Sequence, residues 1–167
     1  MSYGSGNFSG KEWTDTVTLA PGLVIEGQSI GVASSASGFS GFDGILGVGP
    51  IDLTYGTVSN TDTVPTVSDN LLSQGKISEE VLGIYYVPAS EKSSGGALTF
   101  GGIDNSVITS SVHYVSLTTT SPASGYWGVD QSITYGGSTI LSTTAGIVDT
   151  GTTLILIASG EQRAETN

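Results

Sequence analysis

Ala145-Gly146-Ile147-Val148-Asp149-Thr150-Gly151-Thr152-Thr153-Leu154 is the stretch on which the reading of this sequence turns. Its apolar, β-branched opening reads as a strand, and the strand delivers one carboxylate into a Thr-Gly-Thr turn. A glycine two residues past the acid lets the backbone come close to it. Neighbouring N–H groups and hydroxyls then hydrogen-bond Asp149, lower its pKa, and leave an ionised carboxylate able to hold and activate a water. Asp-Thr-Gly alone equally suits a strand-ending turn. The hydrophobic residues before it and Thr152-Thr153-Leu154-Ile155 after it narrow the reading.

Working outward, the dominant period is two. Trp13, Val17 and Leu19 alternate with Thr14, Thr16 and Thr18, a half-buried strand interrupted by Asp15. Short strands are expected at Leu23–Ile25 and Ile30–Ala33 around Gly27, with Pro21-Gly22 as the preceding turn. Further strands are expected at Leu82–Val87, Ala97–Phe100 and Tyr114–Leu117. Trp127, Val129 and Ile133 share one parity, and Gly136-Gly137 then turns the chain into a return strand over Ser138–Leu141. Val64, Val67, Leu71 and Leu72 predict one helix, ended by Gly75, with Ser78 capping a brief turn that carries Glu79 and Glu80. Residues 88–96 read as a polar hinge, and 159–167 as a polar tail after the apolar run Leu154–Ala158. The class is all-β.

Composition removes several functions. Charged residues are 11% of the chain, against about 25% in an ordinary soluble domain. Net charge is -11 with only four Lys and Arg in 167 residues. That excludes a nucleic-acid face, which needs clustered cations, and disfavours an anionic membrane surface. No cysteine exists for a disulfide or a thiolate metal site, and neither metal nor cofactor is expected. His113 is the single histidine, and it lies in an extended run rather than in a nucleophile–base pattern. No apolar run reaches the ~20 residues of a transmembrane helix. Asn7-Phe8-Ser9 is the one glycosylation sequon, relevant only to an exported chain.

Four further segments accompany the Asp149 motif in order: Tyr3-Gly4-Ser5-Gly6; Phe42-Asp43-Gly44-Ile45-Leu46-Gly47-Val48-Gly49; Gly96-Ala97-Leu98-Thr99-Phe100-Gly101-Gly102-Ile103-Asp104; and Tyr126-Trp127 with Val129. Together they resemble the pepsin-like aspartic endopeptidases, most of all secreted fungal members, over nearly the whole chain to about Leu156. The resemblance implies a pepsin-like bilobal fold, here incomplete. Residues 1–88 would be the later half of the amino-terminal lobe with its flap, and 89–167 the earlier half of the carboxy-terminal lobe. It implies that Asp149 is one of two catalytic aspartates. It implies that Tyr3, Gly4, Ser5 and Gly6 form the flap over the substrate, and that Gly151, Thr152 and Thr153 line the cleft. The substrate would be a peptide or protein, the protein a monomer, and its location extracellular, although Met1-Ser2-Tyr3-Gly4 opens no signal peptide. Asp43 is read as a structural turn aspartate, not as a second acid.

In the family the first Asp-Thr-Gly precedes the flap, whereas this chain starts at the flap. The chain by itself is therefore expected to lack the partner carboxylate and to be inactive, and both ends read as cut. A symmetric dimer does not repair this, because flap and aspartate come from different lobes. The alternative is a non-catalytic relic that binds peptide or carbohydrate. A β-rich surface protein with accidental motifs is set aside by the ordered matches.

Overall fold

The computed structural model describes residues 1–88, 90 and 95–158. Most of the polar hinge expected over 88–96, and the tail 159–167, lie outside those residues. The chain divides into two compact units, Met1–Ser111 and Val112–Asn167. The described strands on either side of the expected 88/89 junction, Leu82–Tyr86 and Gly96–Phe100, pair with each other within the first unit.

Among the described residues, strands dominate and pair as three antiparallel hairpins. In the first unit, β1 (Asn7–Ala20) pairs with β2 (Leu23–Ser37), and β3 (Leu82–Tyr86) pairs with β4 (Gly96–Phe100). In the second, β5 (Gly128–Tyr135) pairs with β6 (Ser138–Ile147). The two strands expected on either side of Gly27 are one continuous β2. Gly27 does not break it, because its φ of +64° makes a bulge in which Glu26 and Gly27 together face Thr16. The Thr16 hydroxyl donates to a Glu26 carboxylate oxygen across that bulge at 2.7 Å. Gly136 and Gly137 both have positive φ, as a tight right-twisted hairpin turn requires.

The helix α1 spans Val67–Ser73, and Val64 lies ahead of it. Thr66 caps its start: its hydroxyl accepts from the Asp69 N–H, while the Asp69 carboxylate accepts from the Thr66 N–H at 2.7 Å. Gly75 ends it as expected, with φ +65°; Gly75 N–H donates to Leu72 O and Lys76 N–H to Leu71 O, the paired bonds of a Schellman stop. Val67 and Leu71 pack on Ile25 of β2, with Leu19, Leu23, Ile77 and Phe100 around them. Each fully buried side chain of this kind contributes about 1.5–3 kcal/mol. Beside it Gln28 bonds Asn70 through its side-chain oxygen at 3.0 Å, so the polar edge of the helix is also tied to β2.

Tyr114–Leu117 is not a paired strand. An extended-looking run alone does not make one, because a strand is held by a neighbour's backbone. Tyr114 and Val115 stay 77% and 72% exposed, and the backbone rejoins a strand only where Thr118 N–H bonds Gly128 O.

Candidate active site

In the second unit, β6 runs past the expected Leu141 to Ile147 and aims the chain at the acid. One more rung follows the strand: Val148 N–H donates to Trp127 O at 2.9 Å. Asp149 then leaves the ribbon and the chain turns back on it. Gly151 N–H donates to Oδ1 at 2.8 Å, and the Thr152 hydroxyl donates to Oδ2 at 2.7 Å. Both carboxylate oxygens are thus bonded from within three residues. A Cβ on Gly151 would stand 3.2 Å from Oδ1, a tight contact that the glycine avoids.

These bonds favour the ionised form. The Thr152 hydroxyl first, and the Gly151 N–H second, hold the Asp149 pKa below the ordinary carboxylate value, against a small opposing effect of burial. Asp149 is exposed, so an ionised oxygen remains open to water. Thr153 follows in the chain and is exposed too.

In the first unit, Tyr3, Gly4, Ser5 and Gly6 form the tip of a small hairpin. Tyr3 N–H donates to Gly6 O at 2.7 Å, Ser2 bridges Asn7, and Phe8 N–H donates to Met1 O at 3.0 Å. Gly6 and Gly38 let two backbones cross: a Cβ on either would overlap Ser37 O or Ser5 O respectively. The Tyr3 ring meets Phe39 edge-on at 5.7 Å and lies against Phe8 at 6.3 Å, while Phe39 in turn meets Phe42 at 6.0 Å. Partial burial raises the Tyr3 pKa, so the phenol stays neutral and keeps its O–H to donate. The supporting rings of Phe8 and Phe39 were not singled out from the sequence. Their signal was there, as aromatics on both sides of a glycine-rich tip.

The structure therefore brings together Tyr3, Gly4, Ser5 and Gly6 in one unit, and Asp149, Gly151 and Thr152 in the other. Asp43 sits in an exposed bend of the first unit, and His113 is exposed. Among the described residues no group of three or more His, Cys, Asp or Glu side chains could hold a metal ion. No described helix is long and apolar enough to cross a membrane.

The family model of eukaryotic aspartyl proteases matches residues 1–164. Polyporopepsin of Irpex lacteus is 61% identical over 163 residues, covering 95% of this chain and 48% of that protein. Rhizopuspepsin-1 of Rhizopus niveus is 39% identical over 162 residues, covering 94% of this chain and 39% of that protein. The crystal structure of the aspartic proteinase from Irpex lacteus superposes with a TM-score of 0.92 at 59% identity, over 96% of this chain and 48% of that one. The pepsin-like, strand-dominated fold expected from the sequence is thus shown, and the chain spans about half the length of the relatives it matches or less.

Proposed function

The chain belongs to the eukaryotic aspartyl protease family, and from that premise we propose that it is part of an aspartic endopeptidase in which Asp149 is one of two catalytic carboxylates. The observation that carries this is the double hydrogen bond from Gly151 and Thr152 that keeps an exposed Asp149 ionised. An ionised carboxylate serves as the general base: it takes a proton from water as the oxygen adds to the scissile carbonyl. A second carboxyl, kept protonated because two adjacent charges cannot both form, donates to the carbonyl oxygen. Asp-Thr-Gly occurs once in these 167 residues, so the second acid comes from elsewhere in the parent protein and the chain alone is inactive.

Tyr3 closes over the bound peptide with a neutral hydroxyl, and Gly4, Ser5 and Gly6 offer backbone and hydroxyl partners to a substrate held as an extended strand. Gly151, Thr152 and Thr153 line the substrate cleft beside Asp149. The substrate is a peptide or protein, and the parent acts outside the cell as a monomer.

The test is cleavage of a denatured protein at acidic pH by the purified chain and by a full-length parent, each with an Asp149→Ala counterpart and a statine-type inhibitor. Inhibitor-sensitive cleavage by the parent, lost in its Asp149→Ala form and absent from the 167-residue chain, is the expected result. Unchanged cleavage by the Asp149→Ala parent would remove Asp149 from the reaction. Inhibitor-sensitive cleavage by the short chain would show that it finds a second acid by itself.

A further inference from the structure

Asn7-Phe8-Ser9 is a motif that the proposed chemistry does not use. Asn7 opens β1, pairs with Ser37 of β2 and bridges Ser2, so it stands at the base of the Tyr3–Gly6 tip. Asn7 and Ser9 are exposed, whereas Phe8 between them is half-buried and stacked on Tyr3. Side chains alternate across a strand, so Asn7 and Ser9 project from the face opposite Phe8 and its aromatic neighbours. The Asn7 backbone serves these pairings, and its side-chain amide is exposed.

We propose that Asn7 is an N-glycan attachment site, with the sugar leaving the outer face of the flap hairpin while the aromatic cluster occupies the other face. The reaction needs a polyprenyl-pyrophosphate oligosaccharide as donor. The Asn7 Nδ2 bonds to the anomeric carbon of the first sugar, the bond from that carbon to the pyrophosphate oxygen breaks, the lipid pyrophosphate departs, and the amide proton passes to base. Ser9 supplies the hydroxyl that the acceptor motif requires two residues on. Placed there, the sugar adds bulk to an exposed two-stranded ribbon without touching Tyr3. The proposal rests on the reading that the parent is exported.

The test translates the chain behind a secretory signal into microsomes and reads only protease-protected chain, so that entry is measured independently. We expect most of the protected chain to carry a mass that peptide N-glycosidase removes. That mass should be absent from Asn7→Gln and Ser9→Ala, and kept or increased in Ser9→Thr. As an internal control, Val107→Thr creates an acceptor motif at exposed Asn105. Sugar on Asn105 but not on Asn7 overturns the proposal. A near-UV aromatic spectrum that changes when the sugar is removed overturns the assignment to the outer face. Failure of the export reading would show differently, as parent protein retained inside its source cells.

Discussion

The Thr152 hydroxyl donates to Asp149 Oδ2 across 2.7 Å, from only three residues further along the chain. It is the largest influence holding the Asp149 pKa below the ordinary value of 3.8. A depressed folded-state pKa contributes stability that is complete above the unfolded value and disappears as pH falls through the folded one. Thr152→Val should therefore raise the Asp149 pKa and shrink the stability lost on acidification, while Thr152→Ser leaves both near the parent. The carboxylate is exposed, so the stability change at neutral pH stays below about 1 kcal/mol. Carbon-detected NMR titration of the Asp149 carboxyl checks the shift, and an unmoved pKa would refute it.

At the start of α1, Thr66 and Asp69 cap each other's backbone N–H groups. Thr66→Ala should cost about 1 kcal/mol. Thermal melting followed by circular dichroism should then fall by about 2–4 °C. Thr66→Ser should melt close to the parent, because it keeps the accepting oxygen.

Glu80 lies against the same cap. Partial burial, then the charge of Asp69 and a hydrogen bond to it, raise the Glu80 pKa above the ordinary 4.5. The sign is opposite to that at Asp149. A raised folded-state pKa gives stability that is present below the unfolded value and is lost as pH rises through the folded value. Glu80→Gln should be the more stable protein at neutral pH and should lose part of the parent's gain on mild acidification. Urea melts at paired pH values test this; equal pH slopes in the two proteins would count against it.

Leu71 is fully buried against Ile25 and Val67. Leu71→Ala removes a side chain from the centre of a small cluster and should cost about 2–5 kcal/mol. Leu71→Met preserves volume and should cost less than about 1.5 kcal/mol. Both are read from urea midpoints, provided the slope stays constant.

The sequence was most informative where structure is local. Gly75 as helix stop, Gly136-Gly137 as hairpin turn and the Asp149 turn each depend on a few adjacent residues, and each is where it was expected. It was least informative where pairing decides. Leu23–Ile25 and Ile30–Ala33 fuse because β1 continues back to Asn7 and offers β2 a partner along its whole length. Tyr114–Leu117 reads as extended too, but the bond from Thr118 N–H to Gly128 O comes only after it. The glycine-rich turn at Tyr3-Gly4-Ser5-Gly6 is local to its own residues, but its footing on Phe39 was not legible, because Phe39 lies thirty-six positions away.

Gly151 and Thr152 reach Asp149 without help from any distant part of the chain. The acid's readiness is therefore a cassette property, written in one short loop and portable with it. Whatever surrounds such a loop, the two hydrogen bonds to the carboxylate come with it. Damage to remote packing would then lower the folded population while leaving the hydrogen bonding of Asp149 as it was.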